Sequence, residues 1–123
     1  MNRKQRWTKS LVATLVGLLT LAPTASATPC YGYDIGTHVV NARCSQTFYE
    51  CFSQGEWGRI VLAGDGDTDL DLYVYDSCGN LVGSDTDYTD YCEVTWFAYR
   101  GGTYTIVVSN RGSVYNQFTI QAD

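Results

Sequence analysis

The sequence predicts an all-β sandwich of about seven to eight short antiparallel strands, and three observations predict it. From residue 38 onward, apolar and polar residues alternate with a period of two, which turns one face of each extended segment toward a core and the other toward water. Clusters of Gly, Asp, Asn and Ser interrupt these runs at short intervals, as tight connections between strands require. The same region shows no convincing helical period, so nothing argues for an amphipathic helix.

The elements follow in order. A weakly patterned strand is predicted over His38–Arg43, and clearer ones over Thr47–Phe52 and Arg59–Ala63. Gln54-Gly55-Glu56 and Gly64-Asp65-Gly66 close these early strands. Leu70, Leu72 and Val74 then alternate with Asp71, Tyr73 and Tyr75, up to a turn at Ser77-Cys78-Gly79-Asn80. Val94, Trp96 and Ala98 alternate with Thr95, Phe97 and Tyr99 before Gly101-Gly102. Tyr104, Ile106 and Val108 alternate with Thr103, Thr105 and Val107 before Asn110-Arg111-Gly112. Phe118 and Ile120, alternating with Thr119 and Gln121, make the last strand.

Residues 1–27 read as a cleavable signal peptide. Arg3, Lys4, Arg6 and Lys9 form a basic start, Leu11 to Leu21 an apolar core, and Ala25-Ser26-Ala27 a small-x-small cleavage site. The apolar run is short for a bilayer span, so no membrane insertion is expected after cleavage. Pro29 ahead of Cys30 does not suit a lipoprotein site, and no adjacent arginine pair precedes the apolar core. Residues 28–36 are expected to be an N-terminal arm and 37–123 one β-sandwich domain, secreted or periplasmic. All 13 acidic residues lie beyond residue 27, where only Arg43, Arg59, Arg100 and Arg111 oppose them, leaving a net charge of −9. Such a chain repels nucleic acid.

All five cysteines also lie beyond residue 27, where disulfides form and persist. Cys78 with Cys92 is the expected pair across a hairpin return, a bridge worth ~3 kcal/mol. Cys44 with Cys51 is the next, leaving Cys30 over; Cys30 with Cys51 or Cys44 stays open, because spacing alone does not fix connectivity.

The segment Gly64-Asp65-Gly66-Asp67-Thr68-Asp69-Leu70-Asp71-Leu72-Tyr73-Val74-Tyr75-Asp76 resembles the acidic strand of bacterial pre-peptidase C-terminal domains. Gly79 to Val82, the second acidic cluster at Ser84 to Asp87, the strand Gly102 to Val108 and the stretch Asn110 to Ile120 match further motifs of that family in order. The resemblance covers roughly residues 47–121. It implies a jelly-roll-like sandwich that accompanies secreted peptidases without being catalytic, in a fold whose collagen-binding relatives hold calcium and extracellular protein. Here no peptidase is attached between the signal and the domain.

Two constellations carry candidate chemistry. Asp67, Asp69 and Asp71, with Asp85 and Asp87 in the next acidic loop, are the candidate ligands of a calcium ion, because carboxylates repeated every second residue of an extended chain face one way. Leu70 stands where an EF-hand loop needs its glycine, so that type of site is excluded. Asp71, between two leucines, equally suits a half-buried carboxylate bonded to backbone amides. Tyr73, Tyr75, Phe97 and Tyr99 form a candidate binding surface if their strands are neighbours, fit for sugar rings or a protein. No catalytic residues are assigned: His38 is the only histidine, and no nucleophile motif accompanies it. The reading is a non-catalytic binding or structural module whose partner is an extracellular protein or polysaccharide. The alternative is an inhibitor or interaction protein that docks on a secreted enzyme.

Overall fold

The computed structural model describes residues 34–123, which form eight strands and no helix. They are β1 (Asp34–Val40), β2 (Ser45–Phe52), β3 (Trp57–Ala63), β4 (Leu70–Tyr75), β5 (Leu81–Asp85), β6 (Tyr91–Phe97), β7 (Gly102–Asn110) and β8 (Asn116–Ala122). Sheet I has the order β1-β8-β3-β6 and sheet II the order β2-β7-β4-β5, with every pairing antiparallel. The chain crosses between sheets at every connection except the β4–β5 hairpin, which is the double-sheet jelly-roll arrangement.

The period-two pattern explains why the sheets stack. Leu70, Leu72 and Val74 of β4, with Tyr104, Ile106 and Val108 of β7, turn inward from sheet II. They meet Ile60 and Leu62 of β3, Cys92, Val94 and Trp96 of β6, and Phe118 and Ile120 of β8. Each large apolar side chain so buried contributes about 1.5–3 kcal/mol. Phe52, Trp96 and Tyr104 form an aromatic cluster with ring centroids 4.9–5.4 Å apart. The Tyr104 hydroxyl donates to the Arg100 carbonyl at 2.5 Å, closing the β6–β7 loop in the manner of a tyrosine corner. Gly58 lies against the Trp96 indole, where any Cβ would overlap the ring.

Several boundaries differ from the sequence expectation. β1 begins at Asp34, inside the segment expected to be an arm, and ends at Val40, so Asn41–Arg43 turn instead of extending. A register shift between Asp34 and Gly36, with Gly36 at φ 102°, accommodates that early start. β5 was not expected as a separate strand. It is an edge strand that pairs only with β4 and lacks a clean inward face, so alternation gives no signal for it.

The expected Cys78–Cys92 and Cys44–Cys51 bridges are corrected. Cys44, Cys78 and Cys92 are free thiols, while Cys51 is disulfide-bonded. Cys92 points into the core and its thiol donates to the Leu70 carbonyl at 3.1 Å, at the start of β4. Cys78 follows the far end of the same strand, on the order of 20 Å away, well beyond disulfide reach. Cys44 and Cys51 lie at opposite ends of β2, which separates them by a similar length. The alternative partner for Cys51, Cys30, lies outside the described residues, as do the signal segment and Thr28–Tyr33.

The connections fall at two ends. The β2–β3, β4–β5 and β6–β7 connections share one end, and the β1–β2, β3–β4, β5–β6 and β7–β8 loops share the other.

Candidate functional site

At the four-loop end the aspartates act first as acceptors for backbone amides. Asp65 Oδ1 accepts the Asp67 amide at 3.1 Å and its Oδ2 accepts the Gln117 amide at 2.9 Å. Asp85 Oδ2 accepts the Glu93 amide at 2.9 Å, and Asp87 Oδ1 accepts the Thr89 amide at 2.9 Å. Asp90 Oδ2 accepts the Gly66 amide at 2.6 Å and one hydrogen of the Asn116 side-chain amide at 3.1 Å. Asn116, fully buried, also donates to Thr68 Oγ1 at 3.0 Å and accepts the Asp65 amide at 3.2 Å. Gly64 is required beside this knot, because a Cβ there would strike both the Asp90 carboxylate and the Asn116 amide. At Asp65 and in the second cluster, at Asp85 and Asp87, the spacing is that of Asx turns, in which a carboxylate binds the amide two residues on.

Asp71 takes an outward position on β4, yet it is 5% exposed. Its Oδ2 accepts the Tyr73 hydroxyl at 3.4 Å and lies 3.7 Å from Arg111 Nε, partners that differ from the amides expected for it. Burial and then the nearby Asp69 push its carboxyl above the usual range, while Arg111 opposes the shift. Asp69 Oδ1 is buried and accepts no hydrogen bond. The Cys92 thiol is pushed up to about 12, first by burial and then by Asp85, Asp87, Asp71 and Asp69. Four of the five expected metal ligands, Asp69, Asp71, Asp85 and Asp87, thus add to the field that disfavours the Cys92 thiolate, and Asp67 stands in the exposed β3–β4 loop. Among the described residues no three His, Cys, Asp or Glu side chains converge as ligands of one ion. The spare acceptor in the cluster that a cation could use is Asp69 Oδ1.

The aromatic residues expected to form one surface lie on two. Tyr73 and Tyr75 occupy the outer face of sheet II, where Tyr75 and Tyr49 flank Thr105 in register. Phe97 and Tyr99 belong to the outer face of sheet I, on and just beyond β6. There Trp57, missed in the sequence, pairs with Phe97 in register at a centroid distance of 5.4 Å, and Phe97 meets Tyr99 at 4.8 Å. Trp57 is 67% exposed and Tyr99 79%. The signal for Trp57 was present: it continues the outward alternation of Arg59 and Val61 by one more step toward the Gln54–Glu56 turn. Beside this row, Arg59 binds Glu93 at 2.8 Å and Asp123 at 3.2 Å. His38 packs against Phe48 and Phe118 at 4.8 and 5.9 Å.

At the opposite end Asp76 shapes the β4–β5 turn. Its Oδ1 accepts the amides of Cys78 and Asn80, both at 2.9 Å, and Arg100 Nε lies 3.6 Å from Oδ2. The hydrogen bond from the Asn80 amide leads the causes that hold its carboxyl below the ordinary value.

No protein-family model matches the sequence, and no curated protein matches it either. The fold is similar to that of the pre-peptidase C-terminal domain of a Bacillus anthracis collagenase, with TM-score 0.58 and 9% identity over 71% of this chain and 87% of that one. It is similar to a mitogen from Yersinia pseudotuberculosis, with TM-score 0.56 and 14% identity over 76% and 86% of the two chains. A periplasmic inhibitor of g-type lysozyme from Aeromonas hydrophila shares the fold at TM-score 0.50 and 12% identity, over 82% and 94%. These likenesses establish a fold like that of pre-peptidase C-terminal domains.

The Asp76 turn generates a pH prediction. A carboxylate whose folded pKa is depressed adds stability above the ordinary value of 3.8, and that stability is lost as the pH falls through and below it. Asp76→Ala should lower the urea midpoint at pH 7, with the gap to wild type narrowing at pH 2 to 3. An unchanged gap across that range would show that the charge of Asp76 does not support the turn.

Proposed function

We propose that this chain is a secreted or periplasmic, non-catalytic binding module that engages an extracellular protein or polysaccharide. The observation that carries the reading is the contiguous row Trp57–Phe97–Tyr99, exposed on the outer face of sheet I. Large aromatic rings held on strands lose little freedom on contact and bury much area, the property of binding hot spots. Trp57 and Phe97 are fixed by the β3–β6 ladder. The likeness in fold to a pre-peptidase C-terminal domain supports a module of this kind. The test is retention of the protein cleaved after Ala27 on insoluble peptidoglycan, chitin and fibrillar collagen. At least one of these should retain it, and Trp57→Ala should weaken that retention about tenfold. Retention by none, or retention indifferent to Trp57→Ala, contradicts the reading.

Calcium stabilisation is part of the same proposal, favoured by the unsatisfied Asp69 Oδ1 near the Asp71 carboxylate. Thermal melting in calcium should exceed that in chelator by several degrees, consistent with a gain of ~2.7 kcal/mol at a hundredfold excess over Kd. Asp69→Asn should abolish that difference, and identical curves for wild type in calcium, magnesium and chelator would remove calcium from the account.

The inhibitor reading, in which the module docks on a secreted enzyme, draws on a separate observation: the exposed tyrosines of the four-loop end, Tyr88 at 93% and Tyr115 at 55%.

A further inference from the structure

We propose that the four-loop end is a docking surface for a cationic protein, with Tyr88 and Tyr115 as its central contacts. The inference rests on the chain being a binding module and names the surface and the class of partner.

Tyr88 stands at the tip of the β5–β6 loop, and Val114 and Tyr115 stand on the β7–β8 loop, all with about half or more of their surface in water. The β3–β4 loop runs between them. The Leu70 amide donates to the Thr89 carbonyl at 3.2 Å on one side, and the Arg111 amide donates to the Asp69 carbonyl at 2.9 Å on the other. Tyr88 makes no side-chain hydrogen bond or ring contact among the described residues, although at 93% it is the most exposed of their large hydrophobic side chains. The loops that carry these rings are fixed by the side chains of Asp65, Asp87, Asp90 and Asn116. A partner would therefore meet aromatic contacts on a preorganised frame, which reduces the ordering cost of association.

Charge chooses the occupant. Asp65, Asp67, Asp69, Asp87 and Asp90 all belong to the two loops around Tyr88. The two arginines at this end are engaged: Arg111 lies 3.7 Å from Asp71, and Arg43 Nε donates to the Gly112 carbonyl at 3.0 Å. A second copy of the chain would bring the same carboxylates against these, so self-association through this end is opposed. A cationic protein surface gains instead, both in encounter rate and in suppression of wrong partners. The Trp57–Phe97–Tyr99 face has a weaker preference of sign, because Arg59 and Arg100 border it together with Glu56, Glu93 and Asp123.

The experiment titrates isotopically labelled protein, cleaved after Ala27, with two basic probes, egg-white lysozyme and cytochrome c, and with serum albumin as an acidic control. Amide shift changes are followed by NMR. With at least one basic probe, the changes should be confined to the β3–β4, β5–β6 and β7–β8 loops and should shrink as salt is raised. Tyr88→Ala combined with Tyr115→Ala should weaken binding about tenfold while leaving the spectrum of the core unchanged. Equal binding by that double variant would mark the interaction as diffuse charge attraction and overturn the proposal. Absence of shifts with both basic probes would overturn it as well. Changes centred on Trp57, Phe97 and Tyr99 would overturn the loop-end assignment while leaving the binding-module reading in place.

Discussion

The side-chain amide of Asn116 is buried where β8 leaves the β7–β8 loop, and it joins three segments that are distant in sequence. It accepts the Asp65 amide, and it donates to Thr68 and Asp90, so the β3–β4 and β5–β6 loops are tied to the start of β8. Asn110 does the same for the neighbouring loops, donating to the carbonyls of Val40, Asn41 and Val114 and accepting the Gly112 amide. Two stacked sheets bury apolar side chains without further help, but the loops that cross between them leave backbone groups with no ladder partner. Hydrogen bonds to charged acceptors contribute about 1.5–3 kcal/mol each. That accounts for a domain so rich in aspartate: Asp65, Asp76, Asp85, Asp87 and Asp90 each receive at least one amide that the ladders do not.

This arrangement changes what the acidic pattern means. Read as an extended strand, the series from Asp65 to Asp71 places four carboxylates on one face. In the fold only Asp71 belongs to β4, which starts at Leu70, and Asp65 bends back onto the Asp67 amide. What remains of the row is Asp69 and Asp71, partly buried together with Arg111 as the nearby opposing charge. The surplus of negative charge is the electrostatic consequence of a loop end built from carboxylates. It also gives that end a sign that a partner can read.

Most of the fold was legible in the sequence because burial on one face of a strand imposes period two, and β2, β3, β4, β6, β7 and β8 all carry that signature. β5 was not legible, since an edge strand with one pairing partner and a half-exposed pattern has no period to detect. The aromatic surface was half legible. Phe97 and Tyr99 do form part of an exposed row, but which sheet a strand joins depends on the crossing pattern, and this placed Tyr73 and Tyr75 on the opposite face. Trp57 was lost by starting β3 two residues late. The cysteines were misread because hairpin proximity was assumed for Cys78 and Cys92, whereas the chain leaves sheet II for sheet I between them.

Carboxylate-to-amide hydrogen bonds hold the four-loop end in place before any ion adds to its stability. Native-state hydrogen exchange in chelator tests it at the amides of Gly66, Asp67, Thr89, Glu93 and Gln117, each of which donates to an aspartate oxygen. The account predicts that these amides exchange far more slowly than those of an unfolded chain, and that Asn116→Ala speeds Gly66 and Gln117 most. Unprotected exchange in chelator, with protection appearing only when calcium is added, would contradict it and make the same carboxylates metal ligands first.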